Sequence, residues 1–157
     1  MSKTDPISSV STTTFTENFV DNFGSIFVLK SFLELDQITF SNNETGGQTS
    51  GIALIMSSLR LENSSFANEF GNNGGCIYSS NYSVANITNC TVNNVGVEES
   101  GGFLFSIDSR TQMIDCTVSD ASANSGAALT ISYDSTLEVY SSIFENIHSN
   151  FNGGIIL

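Results

Sequence analysis

A short pattern of glycine pairs followed by apolar residues decides the fold. It reads Gly74-Gly75-Cys76-Ile77, Gly101-Gly102-Phe103-Leu104 and Gly153-Gly154-Ile155-Ile156. Related versions stand at Gly24-Ser25-Ile26-Phe27, Ser50-Gly51-Ile52-Ala53 and Ser125-Gly126-Ala127-Ala128. When the second residue of each pair is aligned, the positions are 25, 51, 75, 102, 126 and 154, and their successive differences are 26, 24, 27, 24 and 28. Self-similarity at a nearly constant spacing indicates a repeat architecture.

A second column has the same period. Its members are Phe15, Phe40, Phe66, Cys90, Cys116 and Phe144, with successive differences of 25, 26, 24, 26 and 28. Asn-rich segments follow most of them, and Asn and Gly accept the positive φ of tight turns. The spacing predicts an inward ladder of four phenylalanines that two smaller cysteines interrupt.

Between the two columns lie short segments in which apolar and polar residues alternate. Examples are Phe32-Leu33-Glu34-Leu35 and Leu59-Arg60-Leu61-Glu62. Alternation places one face of a strand in a core and the other in water. A repeat of about 26 residues is too short for a propeller blade and lacks the helix of a leucine-rich or ankyrin repeat. We therefore predict an all-β, right-handed parallel β-helix of about six coils of 24–28 residues, with residues 1–157 in a single domain.

Charge and hydropathy exclude several classes of partner. The 157 residues include 16 acidic and 4 basic ones, which gives a formal net charge of −12. Because nucleic-acid binding needs a basic surface, we expect no nucleic-acid partner. No apolar run has the length of a membrane span, so we expect no direct membrane insertion. The segment 1–6 lacks the apolar region of a signal peptide, so an extracellular or cell-surface location is expected only for a longer chain.

Three cysteines, at positions 76, 90 and 116, are too few and too widely spaced for a disulfide framework or a metal site. Cys90 and Cys116 would stack in adjacent coils at a distance that a disulfide can span. Parallel Cβ vectors give that bond a poor torsion angle, so we expect two small apolar fillers.

The outward positions carry charges but no catalytic set. One row of residues lies at a fixed number of positions before successive members of the second column, and it consists of Glu34, Arg60, Val84, Arg110 and Glu138. This row predicts ion pairs of Glu34 with Arg60 and of Arg110 with Glu138. Each such pair is worth about 0 to 1 kcal/mol. Asp36 and Glu62 share another column and are the candidate calcium ligands. Asn86, Gln112 and Tyr140 are expected to continue that column, which favours a solvated face. We predict no catalytic residue and no cofactor.

Five N-glycosylation sequons are present, at Asn43, Asn63, Asn81, Asn86 and Asn89. With 17 Asn and 40 Ser plus Thr among 157 residues, about four such triplets arise by chance. The sequons are therefore candidate glycosylation sites, and their number alone does not indicate secretion.

The glycine-pair motif and the motifs Phe15-Thr16-Glu17-Asn18 and Phe40-Ser41-Asn42-Asn43 resemble the GG-x-aliphatic and F-x-x-N repeats of chlamydial polymorphic outer-membrane proteins. They are also similar to β-helix regions of large protist surface proteins. The resemblance implies a pectin-lyase-like β-helix that acts in adhesion or as a passive stalk. Pectate lyases and polygalacturonases share this architecture, and a fold does not determine a function.

The last motif opens a strand without a polar cap, which solenoids need. We therefore expect a fragment of a longer solenoid, or strand addition by a partner at the C-terminal coil. The predicted function is that of a non-enzymatic structural or adhesive segment of a surface protein, which contacts protein or glycan. The alternative is a fragment of a carbohydrate-active β-helix enzyme.

Overall fold

The computed structural model describes residues 7–157, which form a parallel β-solenoid of about six turns. All strand pairs in this part of the chain are parallel, and it contains no helix. The predicted all-β class and the β-solenoid architecture are confirmed. We define coil 1 as 7–31, coil 2 as 32–57, coil 3 as 58–83, coil 4 as 84–109, coil 5 as 110–135 and coil 6 as 136–157.

Coils 1 to 5 each contribute strands to three sheets in turn, and coil 6 contributes strands to the first two. The first sheet has six strands: β1 (Ile7–Ser11), β5 (Phe32–Asp36), β9 (Ser58–Glu62), β12 (Val84–Thr88), β15 (Arg110–Ile114) and β18 (Thr136–Tyr140). The second sheet has nine: β2 (Thr14–Thr16), β3 (Phe19–Val20), β6 (Thr39–Ser41), β7 (Glu44–Thr45), β10 (Ser65–Asn73), β13 (Thr91–Ser100), β16 (Thr117–Ser125), β19 (Ile143–Glu145) and β20 (His148–Asn152). The third has five: β4 (Ile26–Leu29), β8 (Ile52–Ile55), β11 (Ile77–Ser80), β14 (Leu104–Ile107) and β17 (Leu129–Ser132).

The aromatic ladder forms in the second sheet. Phe40 pairs with Phe15 on one side and with Phe66 on the other, and the ring centroids are 5.0 and 4.7 Å apart. The ring planes of Phe40 and Phe66 are within 3° of parallel, and both side chains are buried. Phe144 occupies the same column in coil 6. The predicted positions of all four phenylalanines are confirmed.

The prediction that Cys90 and Cys116 fill this ladder is wrong. Val92 pairs with Phe66, and Val118 pairs with Val92 and Phe144. Each cysteine precedes its valine by two positions and lies in a column at the corner that leads into the second sheet. A slip of two positions preserves which face of the strand is apolar, so hydrophobic alternation does not reveal it. Both thiols are buried and free, as is that of Cys76, in agreement with a role as apolar fillers.

The glycine column also needs correction. Gly101 has φ +74° and a Cβ there would collide with the carbonyl oxygen of Leu104, so this corner requires glycine. Gly126, with φ +54°, occupies the corresponding corner in coil 5. The spacing in the sequence aligns Gly126 with Gly102 instead. The mismatch arises because the register shifts near the end of the second sheet, between Gly96 and Ser100.

Three other corners are formed by non-glycine residues in the left-handed region, and the one after the third sheet contains Lys30, Met56, Asn81, Tyr82, Asp108 and Tyr133. After the first sheet these residues are Thr12, Gln37, Asn63, Asn89, Asp115 and Ser141, and after the first half of the second sheet they are Glu17, Asn42, Asn68, Asn94, Asp120 and Asn146. Asn and Asp tolerate this conformation better than most residues. Their side chains also bond between coils: the Nδ2 of Asn94 donates to Asn68, and that of Asn68 donates to Asn42, over 2.6 and 2.8 Å.

We predict that Phe66→Ala lowers the free energy of unfolding by about 3 to 5 kcal/mol, because it removes a buried ring stacked on Phe40 and leaves a cavity. Phe19→Ala is the matched control. Its side chain is 67% exposed. We therefore expect a loss below about 1 kcal/mol in the control. Chemical denaturation followed by circular dichroism measures both. Equal losses in the two variants would contradict the assigned core.

Candidate functional site

The outer face of the first sheet carries the predicted charged residues. Asp36 and Glu62 face each other on β5 and β9, as expected, but each has another partner. Asp36 accepts a hydrogen bond from the Nδ2 of Asn63 over 2.7 Å, and Glu62 accepts one from the Nε of Arg60 over 2.9 Å. Within 7–157 no group of three or more His, Cys, Asp and Glu side chains is placed to hold a metal ion.

The continuation of that column differs from the prediction. Thr88, Ile114 and Tyr140 follow Glu62, whereas Asn86 and Gln112 belong to the neighbouring row of Glu34, Arg60 and Glu138. From β5 onwards, paired strands of this sheet are offset by a constant number of residues. The expected alignment does not follow this constant offset, so it is two positions out in coils 4 and 5. The column of the calcium candidates therefore continues in apolar and hydroxyl side chains, which are poor calcium ligands.

Both predicted ion pairs are present. Arg60 lies 3.7 Å from Glu34, and Arg110 lies 3.0 Å from Glu138. The second pair is diagonal, because Arg110 pairs with Val84 and Thr136 rather than sharing a row with Arg60. All four side chains are more than a third exposed, so each pair contributes about 0 to 1 kcal/mol and helps to fix the register.

Four of the five sequon asparagines are exposed, namely Asn63, Asn81, Asn86 and Asn89. Asn43 is wholly buried and is not a glycosylation site of the folded chain. Its Oδ1 accepts hydrogen bonds from the backbone N–H and the Nδ2 of Asn18, and its Nδ2 donates to the carbonyl oxygen of Phe15. A glycan would displace these partners. Sequence reasoning cannot detect this burial, because Asn43 lies in an Asn-rich segment typical of exposed turns.

Asn43 also contacts a buried acid that the sequence analysis did not identify. Glu69 is completely buried, and its Oε1 accepts hydrogen bonds from the Nδ2 and the backbone N–H of Asn43 over 2.8 and 3.3 Å. Its Oε2 lies 2.6 Å from the Oγ of Ser50. Burial raises the pKa of Glu69 to about 7, although the hydrogen bonds with Ser50 and Asn43 favour the ionised form and oppose the increase.

The left-handed asparagine corner within β10 is the signal that could have identified Glu69. Phe66 is an inward residue three positions earlier, and a positive φ at Asn68 reverses the alternation at the corner. Glu69 then points inward and Phe70 outward, where it is 44% exposed. Continuous alternation from Phe66 would instead place Glu69 on the surface.

A groove lies on the outer face of the second sheet. It has a volume of about 440 Å³, and its lining includes Glu44, Phe70, Asn72, Glu98 and Ser122. Gly96 forms part of the floor, since a Cβ at this position would lie 3.2 Å from the ring of Phe70. The groove offers an aromatic ring, two carboxylates and neutral polar groups, which is chemistry suited to a sugar.

The third sheet presents a different surface. Its five strands contain no charged residue, although the chain has 16 acidic ones. Tyr78 and Phe105 stack on its outer face with centroids 5.9 Å apart and planes 4° from parallel. Phe27 and Leu29 are 48% and 47% exposed on the same sheet. We call these four residues and the adjoining Phe23 the aromatic stripe.

Comparisons of the chain with protein-family models, with curated proteins and with solved structures give no significant match. Within the described part of the chain, no helix has the length and hydropathy of a membrane span.

We predict that Asn43→Ala lowers the free energy of unfolding by about 2 to 4 kcal/mol, because it leaves the buried Glu69 and the half-buried Asn18 without their hydrogen bonds to Asn43. Asn86→Ala is the control, since Asn86 belongs to another sequon and is exposed on β12. We expect this variant to change the free energy of unfolding by no more than about 0.5 kcal/mol. Urea denaturation of both variants measures the difference. An unaffected Asn43→Ala variant would disprove the buried network.

Proposed function

We propose that the chain is a structural or adhesive, non-enzymatic segment of an extracellular or cell-surface protein. The observation that carries this proposal is the aromatic stripe. Among the three sheets of residues 7–157, in a chain of net charge −12, this uncharged and partly apolar face is the one that a partner can cover without desolvating charges. The rings of Tyr78 and Phe105 lie parallel to each other on this face, with centroids 5.9 Å apart.

The rest of the solenoid supports the spacer component of this role. On the outer face of the first sheet, Glu34, Asp36, Glu62 and Glu138 are all engaged by side chains of the same or neighbouring coils. Such contacts favour a fixed register and stiffness along the stack. Right-handedness, kinship with pectin-lyase-like proteins and strand addition at coil 6 stay predictions.

The alternative is a fragment of a carbohydrate-active β-helix enzyme, and the groove of the second sheet favours it. Glu44 and Glu98 line that groove together with Phe70. Two carboxylates beside a sugar-sized cleft are the minimum that acid–base cleavage of a glycosidic bond requires.

Adhesion of chain-coated beads to cells of the source organism tests the adhesive role. We expect wild-type beads to adhere, and beads with Phe27→Ser and Leu29→Ser together to lose about tenfold, because the substitutions remove exposed apolar area without opening the core. Arg110→Ser is the control on another face and is expected to adhere like the wild type. Wild-type adhesion no greater than that of albumin-coated beads would refute the proposal.

Incubation of the chain with polygalacturonate, with and without calcium, tests the alternative. We expect no increase in reducing ends or unsaturated uronate products. Turnover that disappears in Glu44→Gln and Glu98→Gln would establish the enzymatic function in place of the adhesive one.

A further inference from the structure

Glu69 is the only acidic residue among 7–157 that is fully buried, and it lies between coils 2 and 3. Its column begins with the polar Asn18 and Asn43 and continues beyond it with Val95 and Ala121. No basic side chain of the described residues forms an ion pair with it. An ionised carboxylate in this place would be uncompensated by any opposite charge.

The distances around Ser50 indicate which protonation state the fold accommodates. The Oγ of Ser50 lies 2.7 Å from the carbonyl oxygen of Gly75 and 2.6 Å from the Oε2 of Glu69. A hydroxyl has one proton, and both a carbonyl and an ionised carboxylate only accept hydrogen bonds. With an ionised Glu69, one of these short oxygen–oxygen contacts would lack a proton. With a neutral Glu69, its own O–H donates to Ser50, and Ser50 donates to Gly75.

We propose that Glu69 is a proton-controlled latch: as a neutral carboxylic acid it joins coil 2 to coil 3 through Asn43 and Ser50, and its ionisation weakens that junction. This regulatory role is independent of the adhesive function proposed above. It makes the solenoid most stable when the latch carries its proton.

The surroundings contain one other titratable group that faces Glu69, the thiol of Cys76. Burial raises the pKa of this thiol, and the Glu69 charge raises it further, so Cys76 stays neutral across the relevant range. Glu44, on the adjacent strand β7, is exposed, as are Glu98 and Glu99 on β13. The proton balance of the latch therefore depends on Glu69 itself.

The direction of the pH effect follows from the two states of the chain. The pKa of Glu69 is about 7 in the folded chain and close to the ordinary 4.5 in the unfolded one. Between these values the folded chain holds a proton that the unfolded chain has lost. The stabilising contribution is complete below about pH 4.5 and is lost as the pH rises to about 7, because deprotonation favours unfolding.

Glu69→Gln provides the sharpest test. A glutamine keeps the oxygen that accepts from Asn43 and offers an N–H to the Oγ of Ser50, so it imitates the neutral acid at every pH. We expect its unfolding equilibrium constant to match that of the wild type near pH 5. At pH 8 the wild-type constant should exceed that of the variant by about 100-fold, because a pKa of 4.5 in the unfolded chain and about 7 in the folded one changes this ratio by close to that factor between pH 5 and pH 8.

Glu44→Gln is the matched control, because it removes an exposed carboxylate from the strand that neighbours Glu69. Its difference from the wild type should be the same at pH 5 and pH 8, which accounts for the general effect of net charge. A Glu69→Gln variant that differs from the wild type equally at both pH values would overturn the proposal, since a merely structural role gives that result.

A measurement on the wild-type chain is independent of whether the variant folds. With ¹³C-labelled glutamate side chains, nuclear magnetic resonance follows each carboxyl group as the pH changes. We expect one resonance, that of Glu69, to titrate near pH 7. If no glutamate carboxyl titrates near pH 7, Glu69 is ionised at neutral pH and the latch does not exist.

Discussion

Stacking of successive coils in register is the constraint on which the rest of this structure depends. Phe32 pairs with Ser58, Ser58 with Val84 and Val84 with Arg110, and the same step continues to the last strand of the first sheet. Backbone hydrogen bonds between coils satisfy the polar groups of the strands. Because the step is constant there, identical positions of consecutive coils form columns. A side chain in one coil therefore contacts side chains of the same orientation in the two adjacent coils.

The columns explain both the stability of the core and the intrusion of polar groups into it. Where the column is apolar, as at Phe40 and Phe66, flat rings stack in parallel and exclude water. Where it is polar, each member needs a partner in the next coil. Asn18 is hydrogen-bonded to Asn43, and Asn43 is hydrogen-bonded to Glu69. The polar series ends at this carboxyl group, because the next member of the column is Val95. A buried acid is tolerated there because its hydrogen bonds are complete when it is neutral.

The three outer faces differ because each sheet repeats its own chemistry along the stack. The first repeats paired charges, the second has a groove over Gly96, and the third repeats apolar and aromatic residues. A solenoid therefore separates functions by face rather than by loop. The proposed adhesive role uses the third face, and the latch at Glu69 acts inside the stack, where it affects the stability of coils 2 and 3 without touching that surface.

The sequence by itself determined the repeat, the all-β class and the main apolar column, because a regular period with alternating strands admits few architectures. It also identified both ion pairs. Only the tertiary structure decided the exact register: Val92 and Val118, not Cys90 and Cys116, continue the ladder, because a slip of two positions leaves the apolar face unchanged. It likewise placed Asn43 and Glu69 inside. Their inward direction depends on left-handed corners at Asn42 and Asn68 and on the coil stacked beside them, and neither feature is visible in the hydrophobic pattern of a single strand.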